Sequence, residues 1–467
     1  MDKNGLYDWR ISEMTWNFSR GVRLLAFCII SMVAFLYSSP AFGKDLYVNA
    51  STGSDSYTWA QNDSSHPWST LTRACALAVA GDTVYVLPGT YTGAGTNNRT
   101  IPAFNPTNSG TSENLRITFT GTTGVVLQTD RVPGPIIGSV GRNYITWKNF
   151  VIDEANHVRA ADSNAVVAWS SDHVTFDNIE IIGRNMAGDG TYLHQGIRVE
   201  GSTYTTIKNC KIHGMSTGSP NVVALNTCGI LLYNANYTTV ENNEIYDTSA
   251  GIFIKSNSNF VTMRYNYLHN LTNPGIAITV GATNTSVYQN IIENSAYGIY
   301  HNTTGSSAGS AIYNNTIVNS TDAFYCSITL GGITTGPVTY YNNIVYGGRC
   351  AVMFYGIGYT NTVSLHHNNH SGYSASGWYV SSYTSQTFAQ WQAGVSGGDA
   401  GSTLTNPLFV NASAHDYRLQ AGSPARSASN TGGPLGAYIT GSETIGTGAA
   451  SSPQMRGLGS APIMNVQ

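Results

Sequence analysis

The sequence predicts an all-β chain wound as a right-handed parallel β-helix. It has three parallel sheets, about 27 residues per coil and a short N-terminal capping helix. Three observations carry this. The first is an internal repeat of nine segments that align without gaps: YITWKNFVI from Tyr144, HVTFDNIEI from His173, YTTIKNCKI from Tyr204, YTTVENNEI from Tyr237, FVTMRYNYL from Phe260, NTSVYQNII from Asn284, GSAIYNNTI from Gly309, PVTYYNNIV from Pro337 and TVSLHHNNH from Thr362. From Phe150 to Asn368 the equivalent position advances in steps averaging about 27 residues, the period of a solenoid turn. The second is alternation with period two inside each segment, which marks strands with one buried face. The third is composition: 10% charged residues, 50 Gly and 29 Tyr among 467 residues give too little Lys and Glu for a helical bundle and many turn formers. A net charge of -3 argues against a nucleic-acid partner, which would need a basic face.

In chain order, residues 1–43 are expected to be a cleaved export signal. Arg20 and Arg23 precede an apolar run from Leu24 to Tyr37, and Ser38-Ser39-Pro40-Ala41-Phe42-Gly43 supplies small residues for cleavage. That run is shorter than the roughly 20 residues a bilayer span needs, so no membrane span is expected after cleavage. Met14 is an alternative start. Residues 44–100 form the N-terminal cap and first coils. There Ser69-Thr70 opens a helical pattern through Leu71, Ala74, Cys75 and Ala78 that Gly81 closes, before Asp82 to Val86 enters the first strand.

Residues 101–375 hold the repeats. The fourth position reads Trp147, Phe176, Ile207, Val240, Met263, Val287, Ile312, Tyr340 and Leu365; the ninth runs from Ile152 to Val345 as Ile, Leu or Val. Both are inward ladders. The seventh position becomes Asn243, Asn266, Asn290, Asn315, Asn343 and Asn368, an asparagine ladder whose amides donate from coil to coil and whose residues accept the bend's unusual backbone angles. Outward Tyr288 is expected to matter little beside Asn290. A further strand begins with Gly-Ile at Gly196, Gly229, Gly251, Gly275 and Gly298. Residues 376–440 form the C-terminal cap, with a helical turn at Phe388–Gln392 and closing strands around Phe409 and Tyr417, and 441–467 are a Gly/Ser/Ala-rich tail expected to be disordered. Once Cys28 leaves with the leader, Cys75, Cys210, Cys228, Cys326 and Cys350 remain; these are read as buried small hydrophobes, with a Cys210–Cys228 bridge as the minority option.

Asp45-Leu46-Tyr47-Val48-Asn49, the run from Gly81 to Tyr91 and the closing stretch from Asn406 to Ala425 resemble the terminal signatures of secreted, pectate-lyase-like β-helix repeat proteins. The resemblance spans nearly all of the chain after the leader and implies the fold more sharply than the chemistry, because one fold hosts many functions. In the polysaccharide lyases of this group, the resemblance implies, substrate lies along the Gly-Ile strands. Alternation turns Arg198, Glu200, Leu231, Tyr233, Phe253, Lys255, Tyr300 and Asn302 outward there. Gly251-Ile252-Phe253-Ile254-Lys255-Ser256 is similar to the segment around the catalytic lysine of chondroitin and alginate lyases, although Ala250 stands where those enzymes carry acidic calcium ligands.

The candidate site is therefore Lys255 as base and Arg198 as carboxylate clamp, with Tyr233, Phe253, Tyr300 and His194 contacting sugar and Glu200 and Asp189 as calcium ligands. The plain alternative for Lys255 is a solvated coil residue. A rival surface follows the Asn bend: Glu180, Lys211 and Glu244, then His213, Tyr246, His269 and Glu293, a pattern that charge ladders form without function. His366, His367 and His370 are weighed as metal ligands, and Asp153-Glu154 as a hydrolytic pair. The function expected is an exported protein that binds polysaccharide without established catalysis. The alternative is a lyase acting on an acidic glycan by β-elimination. Calcium is a candidate cofactor, and the oligomeric state is open.

Overall fold

The computed structural model of the chain describes residues 43–130, 134–156, 162–184, 193–215, 226–279, 281–302, 308–327, 338–355, 363–373, 376–380 and 384–447. The segment expected to be an export signal, apart from Gly43, lies outside them. From Asp45 to Tyr379 the strands stack coil on coil as a right-handed parallel β-helix, strands pairing parallel with their equivalents in the next coil. Thr206–Lys208, Thr239–Glu241, Thr262–Arg264 and Ser286–Tyr288 illustrate the Val-Thr sheet. Lys211–Met215 and Glu244–Thr248 follow the Asn bend into the next sheet. Leu193–Glu200, Cys228–Tyr233 and Ala250–Lys255 form the Gly-Ile sheet.

Both predicted inward ladders are core: from Trp147 to Leu365 and from Ile152 to Val345, no member is more than 1% exposed. The glycine column explains how the coils approach so closely. A Cβ at Gly251 would stand 2.4 Å from the carbonyl oxygen of Gly275, so any side chain there would push adjacent backbones apart.

The asparagine ladder forms as expected. Asn243, Asn266, Asn290, Asn315 and Asn343 each donate an Nδ2 hydrogen to the Oδ1 of the next asparagine, at 2.9–3.0 Å. All six are fully buried. Cys210 extends the column at one end, its backbone N–H donating to Asn243 Oδ1 at 2.9 Å, and Ser402 Oγ receives the Asn368 N–H at 2.7 Å at the other.

The bend angles, however, belong to the sixth position, where Asn149, Asn178, Asn209, Asn242, Tyr265, Gln289, Asn314, Asn342 and His367 have φ between 52° and 63°. The seventh-position asparagines are not among the positive-φ residues, and their side chains reach along the axis to their neighbours. Tyr288 also differs from expectation. It stacks on Tyr313 at 4.9 Å and its hydroxyl lies 3.1 Å from Arg264 Nη1, since the outward fifth position is itself a continuous ladder.

At the N-terminus the first strand is Asp45–Val48, paired to Thr83–Val86; the segment from Asp82 is the second strand, and the capping helix Leu71–Leu77 lies between the two. Thr70 Oγ1 accepts from the Arg73 N–H at 3.1 Å, and Leu71, Ala74 and Cys75 are buried. At the other end Phe388–Gly394 is helical with a Thr387/Gln390 capping box, and Phe409–Asn411 pairs antiparallel with Asp416–Leu419.

The chain then turns back along the flank as a strap. Asn430 meets Asn342, the Ala437 N–H donates to Thr316 Oγ1 at 2.9 Å, Gly446 bonds to Tyr265, and Thr447 Oγ1 donates to Glu244 Oε2 at 2.8 Å. Phe409, Tyr417, Leu419, Leu435, Ala437 and Ile445 thereby cover Ile291, Val318 and Ile344 in a second core. Residues 441–447, expected to begin a disordered tail, belong to this packing. The rest of that tail lies outside the described residues. Cys75, Cys210, Cys228, Cys326 and Cys350 are free and buried, so there is no Cys210–Cys228 bridge.

Candidate functional site

On the outer face of the Gly-Ile sheet, register builds two columns. One runs Val167, Arg198, Leu231, Phe253, Ala277, Tyr300; the other runs Trp169, Glu200, Tyr233, Lys255. At the head of the columns lies a cleft of about 260 Å³ lined by Arg99, Leu193, Gln195, Arg198, Glu200, Asn226, Tyr233 and Lys255. Four residues singled out from sequence thus meet in one place.

They are joined by a polar chain. Arg198 donates to Glu200 Oε2 through Nε at 2.7 Å, and its Nη1 to Gln195 Oε1 at 3.3 Å. Gln195 Nε2 donates to the Asn226 carbonyl at 2.6 Å, and Lys255 Nζ donates to Asn226 Oδ1. The Lys255 ammonium also lies 5.3 Å from the ring centroids of Tyr233 and Phe253. The guanidinium groups of Arg99 and Arg198 each lie 5.6 Å from the Trp169 ring. Such contacts favour a cation held against an aromatic surface. Among the described residues that line it, three are cations and one is a carboxylate, an electropositive set in a protein whose net charge is -3.

The remaining predicted residues lie elsewhere. Phe253 is on the outward side but only 5% exposed. It packs with Cys228, Leu231, Ala250 and Ala277 in a small apolar cluster, with Tyr300 at its margin. Alternation tells which side a residue takes, and here that side is covered. Tyr300 lies four strands from Arg198, stacked 5.5 Å from Tyr325, away from the cleft. His194 sits between cleft-lining Leu193 and Gln195 but is 2% exposed and engaged elsewhere, with Nε2 2.7 Å from Glu154 Oε2 and Nδ1 2.6 Å from Ser163 Oγ. Asp189 lies outside the described residues.

Arg99, Gln195 and Asn226 were missed. Arg99 comes from the early coils and Asn226 precedes its strand, so neither falls in the aligned repeats, whereas Gln195 is flagged only by its place before Gly196.

Glu200 is committed to Arg198 and shares the cleft with two further cations, a poor environment for calcium, which needs several oxygen ligands with negative charge. Among the described residues no group of three or more His, Cys, Asp or Glu is placed to hold a metal. Of the three histidines, His366 and His367 touch through their Nδ1 atoms at 3.1 Å, and His370 is turned away from both. His366 stacks outward on Tyr341 at 5.2 Å, His367 occupies the bend, and His370 takes the inward ninth position, its Nε2 2.9 Å from buried Asp399. Glu154 is buried with His194, whereas Asp153 Oδ2 accepts from Gln128 Nε2 at 2.8 Å, so the two carboxylates serve different partners.

The rival surface is a ladder. Lys211 and His213 lie 3.7 and 3.4 Å from Glu180, His269 lies 3.3 Å from Glu244, and His213, Tyr246 and His269 stack at 4.8 and 5.0 Å. Hydrogen bonding to His213 and to His269 is the leading cause that holds the Glu180 and Glu244 carboxyls below the usual range. Glu293 is buried under the strap, accepting from the Tyr267 hydroxyl at 2.8 Å and lying 2.9 Å from His415 Nδ1.

The family model described as right handed beta helix region matches residues 136–317. No curated protein sequence matches the chain. Among solved structures, a pectate lyase superposes with a TM-score of 0.55 at 13% identity, covering 88% of this chain and 97% of its own. A rhamnogalacturonan lyase gives 0.54 at 15%, covering 70% and 87%. A lacto-N-biosidase from Eubacterium ramulus gives 0.55 at 13%, covering 79% and 72%. At such identities the likeness is one of fold, and it agrees with the coil-by-coil register described above. The chain has the right-handed parallel β-helix fold, which it shares with these structures.

Proposed function

We propose that this protein is exported and binds an acidic polysaccharide through the cleft formed by Arg99, Arg198, Tyr233 and Lys255. The observation that carries the reading is the convergence of three cations and an aromatic ring on one cleft of a weakly charged protein. A carboxylate-bearing sugar satisfies both, its acid group on guanidinium and ammonium and its apolar face on the Tyr233 ring. The fold likeness to a pectate lyase and a rhamnogalacturonan lyase supports a carbohydrate ligand. No helix among the described residues is long and apolar enough to cross a membrane.

Binding is favoured over catalysis because Lys255 makes the contacts of a cation, to a carbonyl oxygen and two rings, rather than those of a base awaiting a proton. The lyase alternative draws support from Lys255 and Arg198 lining the same cleft, as base and carboxylate clamp. Titration of the purified protein with polyuronates and with neutral glycans decides the matter, read by calorimetry and by ultraviolet absorbance of unsaturated ends. The expected result is salt-sensitive binding to the acidic glycans, lost in Lys255→Ala, with no absorbance gain. Growth of absorbance that Lys255→Ala abolishes establishes the lyase, and absence of binding to any acidic glycan overturns both readings.

A further inference from the structure

The polysaccharide lyases resembled by the sequence imply an open groove along the whole Gly-Ile face. The structure closes that face one coil beyond Lys255. In the first column Leu231, Phe253 and Ala277 are 1%, 5% and 0% exposed; in the coil after Lys255, Thr279 is 5% exposed, its hydroxyl donating to the Ile254 carbonyl at 3.3 Å. At the opposite end stands the half-buried Trp169 ring, with Arg99 and Arg198 against it. What remains between these walls is the height from Glu200 through Tyr233 to Lys255, two strand spacings, or roughly 10 Å. That is room for one pyranose ring and its substituents, and a cleft of about 260 Å³ agrees with it.

We infer that the cleft takes a single acidic sugar unit, the terminal residue of an acidic glycan or a free sugar acid, rather than an internal stretch of polymer. The inference rests on the acidic-glycan reading above and adds the mode of recognition. A polymer threaded across successive coils would have to lie over Phe253 and Ala277, and both are already covered. A terminal unit needs only to enter between Trp169 and Lys255. Its carboxylate then meets the cations while the rest of the chain leaves the protein. Arg198, already paired with Glu200, fixes the wall, and Arg99 and Lys255 line the same cleft.

The test uses the full chain and galacturonic and glucuronic acids, their oligomers of increasing length, and the same oligomers blocked at either end. Calorimetry gives affinity per molecule, and saturation-transfer NMR gives the units touched. The expected result is an affinity that changes by less than about threefold from the dimer to the longest oligomer, well under the tenfold that 1.4 kcal/mol of added contact brings. Saturation should be confined to one terminal unit, and blocking that end should abolish binding. An affinity that rises more than about tenfold with length, or saturation spread over internal units, overturns the single-unit cleft while leaving acidic-glycan binding intact. Failure of every acidic sugar to bind, or binding indifferent to Lys255→Ala, overturns the underlying reading and this inference with it.

Discussion

His301 faces the core with its Nδ1 2.9 Å from the Tyr340 hydroxyl and no partner at Nε2, and burial pushes its pKa down from 6.5 to about 4. A folded value below the unfolded one means that the unfolded chain takes up the proton first. The stability His301 contributes is therefore whole above pH 6.5 and lost as pH falls toward 4. A shift of that size corresponds to something on the order of 3 kcal/mol. Chemical denaturation at pH about 7 and about 4.5 should show this loss in the wild type and much less of it in His301→Gln; the same loss in both would assign it to other groups. In the cleft, Tyr233→Ala should weaken acidic-glycan binding by about tenfold, the worth of one aromatic contact of ~1 kcal/mol or slightly more, without lowering the melting temperature, because Tyr233 points away from the core. A side chain's inward or outward sense was legible at such positions from alternation alone. Whether an outward residue is exposed was not. Phe253 and Tyr233 follow the same rule in sequence, yet the first is covered and the second lines the cleft.

The ladders are where sequence and structure agree most closely, because each repeats one requirement in coil after coil. The asparagines were readable since a buried amide column needs the same residue every turn. Replacing Asn290 by Leu strips partners from the Asn266 N–H and Nδ2, from Asn315 Oδ1 and from the Met263 carbonyl. Each buried polar group left unsatisfied costs about 1–3 kcal/mol. Tyr288→Ser loses a stacked contact with Tyr313, a looser edge contact with Tyr265 and one hydrogen bond at the surface, together about 1–2 kcal/mol. Thermal melts should rank Asn290→Leu well below Tyr288→Ser, and equal midpoints would sink the assignment of the ladder as the stronger element. The first repeat position was not legible as a ladder: Tyr144, His173, Tyr204, Tyr237 and Phe260 adopt φ of 51–56°. That conformation costs a non-glycine residue roughly 1–2 kcal/mol. Face-to-face stacking at 4.4–5.0 Å offsets it, an exchange visible only when the coils are superposed.

For the molecule as a whole, the parallel β-helix followed from the repeat, but the strap did not. Its buried residues, Leu435, Ala437 and Ile445, are isolated in a Gly- and Ser-rich stretch because each rests on a different area of the flank, so no period betrays them. A chain ended after Thr405 should uncover Ile291, Val318 and Ile344. It should melt at lower temperature and bind a hydrophobic dye, yet retain acidic-glycan binding, since no strap residue lines the cleft among the described residues. Loss of glycan binding in that variant at a temperature where it stays folded would tie the strap to the site. The strap also alters how the protein opens. In a plain solenoid each turn leans only on the next, so local opening spreads from the ends. Here one segment touches strands from Asn369, which donates to Thr405, back to Glu244, which receives Thr447, so the turns between them are held from separating singly. In deuterated solvent their amides should exchange as one cooperative block, and the turns ahead of Glu244, which the described strap does not reach, should exchange sooner and piecemeal.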